Sequence, residues 1–391
     1  MTDSAANFVL TVNGQVFGGW KEIELTRSLD VMAPAFEITC TDRWPGQPQQ
    51  WPLQTGQAVK ITESGELLVT GWIDEIEPRV QAEDHTVKVR GRGRTCDLVD
   101  CSAMNKPGTW KGLTGDQIIA AICKPFGIGV TCTAPIGAAF PSFALQQGEA
   151  CKDAIDRICQ QRCWLPIETP TGDLLLAAPS ANTAAGQLML GGPTGNIEIG
   201  EAKQSALERF SVYVVKGNRK GSNHDSGAVV SAVTAQATDA AVTRYRPLMI
   251  LSEDQATTGS AKTRAQFAAT VRAGRGQTGK LTVSGARDAA GKLWAPNYLI
   301  PVAAGDLGLI SNLLINETKT KVSDAGTQTE IHVVRPEAYS LGEIKGASLS
   351  RLDNRAAGRG RKGKSGRKGK GPGLSALADL QAGQGSEGEG Q

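Results

Sequence analysis

A chain of 391 residues with 40% apolar content has room for two or three domains, each with its own core. Its net charge of +3 excludes a uniformly basic protein, and 47 glycines with only 5% aromatic residues favour turns and short strands over long helical bundles. The N-terminal MTDSAANFVLTVNGQ has neither a basic n-region nor an apolar h-region, and no run approaches the roughly 18 apolar residues of a membrane span. A soluble protein made in a cytoplasm, with no direct membrane insertion, is therefore expected.

The first hundred residues read as β structure. FVLTVNGQVF places Asn13-Gly14 between alternating apolar residues, a two-residue hairpin signal. QAVKIT and ELLVTGWIDEIEP flank a second turn at Glu63-Ser64-Gly65, and HTVKVRG sets Val87 and Val89 on one face against Thr86, Lys88 and Arg90 on the other. Short strands at close spacing predict a small barrel over 1–103.

Beyond Cys101 the period changes. Thr114-Gly-Asp-Gln117 is a capping-box pattern, followed by Ile118, Ile119 and Ile122 at helical spacing. In GEACKDAIDRICQQRCW, the stripe Ala154, Ile155, Ile158 and Cys159 predicts a buried helix face, with Asp153, Asp156, Arg157 and Gln160 wet. A strand pair around Thr171-Gly172 follows. β character returns from LERFSVYVVKG onward and ends in TQTEIHVVRPE, set off by the turn Asp324-Ala-Gly326. One helix interrupts it, with Ser260 as cap, Phe267, Ala268 and Val271 as apolar face and Gly274 as a left-handed terminus. The reading is α+β, mainly β. It comprises a first barrel (1–103), an α+β middle domain (104–205 with 241–276), a second barrel (206–240 with 277–340), and a flexible basic tail (341–391). The helix in 241–276 is expected to pack on the middle domain, because a lone helix must bury its stripe.

Residues 351–370 hold nine Lys/Arg against Asp353, so this segment is +8 and the rest of the chain, by difference, −5. Arg359, Arg361, Lys362, Lys364, Arg367, Lys368 and Lys370 are candidate polyanion contacts. They lack interleaved aromatics for base stacking, and a solvated tail is the alternative. Gly358 to Ser365 fits the phosphate-loop pattern GxxxxGK[ST], but RLDNRAA before it and GRKGKGPG after it cannot supply the strand and helix that loop needs. Eight cysteines lie between Cys40 and Cys163 without a CxxC, and the three histidines are scattered, so buried thiols are expected rather than a metal site. No GxSxG or HExxH occurs, and Asp74, Glu75 and Glu77 lie along a strand rather than as an isolated acid pair. No enzyme activity and no cofactor are expected.

The stretch GRGRTCDLVDCS (91–102) resembles at first a phosphate loop or metal knuckle. Its glycines lack a third partner and Cys96 and Cys101 lack ligand spacing. It reads as the exit of a strand into the next domain, with Arg90, Arg92 and Arg94 as candidate subunit contacts.

Several segments together resemble the baseplate hub family of Mu-like contractile-tailed phages. They are GWIDEIEP, HTVKVRGRGRTCDLVDCSA, ICKPFGIGV, FPSFALQQGEACKDAIDRICQQR, AKQSALERFSVYVVKG, TRYRPLMIL, GKLWAPNYLIPV and LLINETKTKVSDAGTQTEIHVVRPEAY, spanning about 8 to 340. The resemblance implies two similar β-barrels and a homotrimer whose six barrels form a pseudo-sixfold ring, similar to the N-terminal part of type VI secretion spike proteins. It implies a place in the virion tail between the tail tube protein and the central spike protein, among other baseplate proteins, with DNA passing through the channel. The basic tail is outside the matching segments. A nucleic-acid-binding protein acting through that tail is the alternative reading, and a tail-associated hydrolase, for which the chain has no spare length, is a third.

Overall fold

The structure, a computed structural model, describes residues 8–17, 20–41, 53–80, 85–180, 182–217, 233–251 and 258–339. His224 and the seven tail residues expected to contact polyanions lie outside these residues.

Seven strands open the chain: β1 (Phe8–Val12), β2 (Gln15–Phe17), β3 (Trp20–Ser28), β4 (Ala35–Thr41), β5 (Ala58–Glu63), β6 (Glu66–Val80) and β7 (His85–Gly93). The β1–β2 turn is the one predicted, with Asn13 and Gly14 at φ 49° and 80°, and Ser64-Gly65 turns β5 into β6 in the same left-handed region. Alternation sends Ile23, Leu25, Phe36, Ile38, Val87 and Val89 into one core. Their neighbours Glu22, Glu24, Glu37, Lys88 and Arg90 face the other way, as a half-buried sheet requires.

The α+β region follows, with α1 (Cys96–Asp100), β8 (Thr109–Trp110), α2 (Gly115–Cys123), β9 (Val130–Cys132), β10 (Phe143–Ala144), α3 (Cys151–Arg162), β11 (Leu165–Glu168) and β12 (Leu174–Ala177). The capping box is present: the Thr114 N–H donates to Gln117 Oε1 at 3.1 Å. Ile118, Ile119 and Ile122 of α2 meet Ala154, Ile155 and Ile158 of α3, each wholly buried. Burial of each isoleucine contributes roughly 1.5–3 kcal/mol relative to exposure. The indole of Trp164 closes this core and donates to Pro135 O at 3.0 Å.

The rest of the chain comprises β13 (Asn182–Thr183), β14 (Leu188–Met189), β15 (Ile197–Gln204), β16 (Val212–Gly217), β17 (Val233–Thr238), β18 (Pro247–Leu251), α4 (Thr258–Arg275), β19 (Gln277–Ser284), β20 (Tyr298–Ala304), β21 (Leu309–Ser323) and β22 (Gly326–Val334). Here the structure departs from expectation in three ways. First, no sheet closes into a barrel among the described residues. Strands of both expected barrels share one fourteen-stranded sheet, because β3 pairs with β21 and carries the ladder from one half into the other. Second, β13, β14 and β15 pair with β20 and β19, so 182–204 joins the second half and not the α+β region. Third, α4 packs on β16 and β17, which with β18 form a separate three-stranded sheet, rather than on the helices of 104–205. The helix stripe finds its cover in the nearest strands of its own segment. Gly274 is not a left-handed terminus either. It lies inside α4, where a Cβ would stand 2.4 Å from Ala338 N, so glycine permits the close crossing of the 336–338 turn. Ser260 falls in the first turn of α4 rather than before it.

Candidate assembly surface on the shared sheet

Eight strands run in the order β15-β19-β22-β21-β3-β4-β7-β6, every neighbouring pair antiparallel. One face is apolar and the other carries charge in cross-strand pairs. Lys280 meets Glu330 at 2.9 Å, Lys319 meets Glu24 at 2.7 Å, and Lys321 meets Glu22 at 2.5 Å. His332 lies between Glu330, 2.7 Å from Nε2, and Glu317, 3.4 Å from Nδ1. Cations and carboxylates answer each other along this face, so the alternation reads as a ladder of ion pairs.

Each of the three arginines singled out in the sequence is satisfied inside the chain. Arg90 donates from Nε to Glu37 Oε2 at 2.7 Å and from Nη1 to Glu77 Oε1 at 2.8 Å and Glu75 Oε2 at 3.4 Å. Arg92 grips Asp100 through both Nη atoms (2.8 and 3.2 Å) and Asp74 through Nε (2.6 Å). These hydrogen bonds hold the Glu37 carboxyl, through Arg90 and Lys88, and the Asp100 carboxyl, through Arg92, below the usual range. Arg94 leaves the sheet and donates to Gly127 O at 3.0 Å in the α+β region. Arg90 and Arg92 thus belong to one charged face, while Arg94 bridges to a neighbouring body.

That junction has a second tie that nothing in the sequence marked. Glu168, at the end of β11, accepts from the Thr95 N–H (2.8 Å) and hydroxyl (2.5 Å) through Oε2. Its Oε1 is buried with no hydrogen-bond partner among the described residues and occupies the space a Gly93 side chain would need. Burial pushes this carboxyl up to about 7, against the pull of the Thr95 donors and Arg94.

The two halves of the sheet repeat one another. β3-β4-β7-β6-β5 in the first half corresponds to β15-β19-β22-β21-β20 in the second. β6 and β21 are both fifteen residues long, and each changes partner along its length. The register shifts also coincide: Ile73/Glu75 with Ile315/Glu317, and Trp20/Glu22 with Ile197/Ile199. In the chain, the first strand of half one (β3) pairs with the long strand of half two (β21). The equivalent strands β15 and the distal part of β6 (74–80) have one strand partner each among the described residues, leaving two open edges. Ile199 and Val80 are exposed there, at 59% and 66%.

Three family models match in chain order: the N-terminal domain of Mu phage baseplate assembly protein GpP-like over residues 7–93, the second domain of baseplate hub protein gp44-like over 95–178, and the fourth domain of GpP over 257–342. Baseplate hub protein gp44 of Escherichia phage Mu is 29% identical over 340 residues, 84% of this chain and 88% of that protein. The crystal structure of the 43 kDa tail protein of prophage MuSo2 from Shewanella oneidensis is 31% identical with a TM-score of 0.77, over 86% of this chain and 99% of that one. This chain belongs to the baseplate hub family of Mu-like phages.

As a baseplate hub protein it is a structural part of the virion tail. Its fold extends further: an Escherichia coli component of the type VI secretion system shares it at TM-score 0.52 and 12% identity, over 86% of this chain and 80% of that one. The hub relatives are structural proteins. The sequence reading found the charged strands but not the open edges. Alternation states which face is wet, not which strand lacks a neighbour.

Proposed function

We propose that the hub acts as a homotrimer, built by repeating between subunits the strand pairing that joins the two halves within one. The observation that carries this reading is the β3–β21 ladder. Placing β15 of one copy against β6 of the next in the equivalent register sets Lys203 opposite Glu77 and Glu201 opposite Arg79, two complementary pairs. The edges run antiparallel, as every other pair in the run does. Such head-to-tail contacts close a ring, and three copies supply six equivalent halves. This arrangement would adapt a sixfold tail tube protein to a threefold central spike protein, with other baseplate proteins outside. Arg90 stands one strand in from the seam and fixes Glu77, which gives the arginine cluster its part in the subunit contact. The charged face would line a channel in which cations are already paired, so passing DNA meets few free ones. Within each subunit we divide the chain into modules at 8–93, 95–178, 182–204 with 277–339, and 206–275.

Light scattering on the purified protein should return a mass near three times 41.0 kDa. Lys203→Glu should shift it toward monomer, and adding Glu77→Lys should restore the trimer. A wild-type monomer at high concentration, or no response to Lys203→Glu, would overturn the ring.

A further inference from the structure

Where β3, the β11–β12 pair and the loop before β20 meet, they leave a cavity of about 780 Å³. This is within the size range of sites that enclose small ligands or several side chains, roughly 300–1,000 Å³. Its walls are mostly apolar, with Met32, Ile167, Leu175 and Pro296 among them. One cation on the wall is poorly satisfied. The Arg27 guanidinium has five N–H donors, and its single hydrogen bond among the described residues runs from Nη2 to Trp294 O at 2.5 Å. Desolvation lowers it to about 10, although the side chain is only half-buried beside the cavity. Glu66 offsets part of this through space, but neither nearby carboxyl hydrogen-bonds the guanidinium. Glu66 is held by Arg287 at 2.8 Å, and Glu168 is turned to Thr95. Lys292 adds a second positive charge at the rim, and exposed Val31 stands at the mouth.

We infer that this cavity binds an apolar group carrying one carboxylate, with the Arg27 fork as its anchor. The fork matches a carboxylate in two parallel hydrogen bonds, and the apolar walls take the body. Two sources present that chemistry, a free amphipathic acid and an acidic residue on an apolar polypeptide segment. Either would sit where both sheet halves and the α+β region converge, and so would tie the three together. This inference is independent of the trimer.

The full chain is titrated calorimetrically with decanoate and, separately, with the acetylated and C-terminally amidated peptide Leu-Leu-Val-Asp. Saturable binding of at least one probe is expected. It should weaken about tenfold or more in Arg27→Met, as loss of a charge-assisted bidentate contact implies. Val31→Trp, which narrows the mouth from a solvent-exposed position and leaves the core intact, should weaken it as well. Tighter binding of the peptide assigns the site to a polypeptide partner, and tighter binding of decanoate to a free amphiphile. Failure of both probes to bind, or binding unchanged in Val31→Trp, overturns the inference even if Arg27→Met does not fold.

Discussion

Replacing Gly91 with alanine should destabilise the protein by about 3 kcal/mol or more, a large loss for the removal of no existing contact. Gly91 is in the middle of β7, paired with Phe36 of β4 on one side and Ile73 of β6 on the other. A methyl there would stand 2.1 Å from the Trp72 carbonyl oxygen and 2.2 Å from the Phe36 ring. The ring is only 3% exposed and has no free space to enter. The carbonyl belongs to the neighbouring strand and moves only if the ladder opens. Alanine at Gly305, whose Cβ would meet nothing nearer than Ile310 Cδ1 at 3.7 Å, is the control and should be close to neutral. Thermal unfolding reads the difference: at roughly 2–4 °C per kcal/mol, Gly91→Ala should lower Tm by about 6 °C or more. A fall no greater than that of Gly305→Ala would remove the packing argument. Gly91→Ala with Phe36→Leu should recover only part of the loss, because the carbonyl clash remains.

The same stretch shows what a sequence of this kind discloses. Local signals were legible: Asn13-Gly14 and Ser64-Gly65 carry their own backbone preference, and the isoleucines of α2 and α3 announce their stripe by period alone. Facing was legible too, since Val87, Val89 and Gly91 alternate with Lys88, Arg90 and Arg92. Partner choice was not. Nothing in WKEIELTRS says that it will pair with LLINETKTKVS almost 300 residues later, yet that one ladder turns two expected barrels into a single open sheet. Likewise the stripe of α4 states that it must be covered but not by which strands. The three arginines appeared to be surface charges awaiting a partner. Glu37, Glu77, Asp74 and Asp100, which pair with Arg90 and Arg92, come from three different elements, and the Gly127 carbonyl that takes Arg94 comes from a fourth segment; only the fold assembles them. Glu168 had no signal at all, because a lone glutamate closing a strand is the commonest of surface patterns.

Glu168 should give the hub a pH dependence opposite in sign to that of Glu37 and Asp100. Its folded pKa, pushed up to about 7 by burial, lies above the roughly 4.3 of an unfolded glutamate, so the native state holds this proton more tightly. The stabilisation is fully present below the unfolded value and is lost as pH rises through about 7. At about 1.4 kcal/mol per unit the contribution reaches at most about 4 kcal/mol. Glu37 and Asp100, held low by Arg90 with Lys88 and by Arg92, act in the other direction, and their effect is spent below about pH 5. Denaturant unfolding between pH 5 and 8, compared between the wild type and Glu168→Gln, therefore reads Glu168, because every other titrating group is common to both, and Glu168 should make stability fall across that window. In Glu168→Gln the amide oxygen still accepts from Thr95, the proton is no longer lost, and the slope should flatten. A variant with the wild-type slope would show that the buried carboxyl does not set it. A flattened slope places the titration at the joint between Gly93, Thr95 and β11, so that deprotonation above pH 7 acts on the contact between the first sheet half and the α+β region rather than on either core.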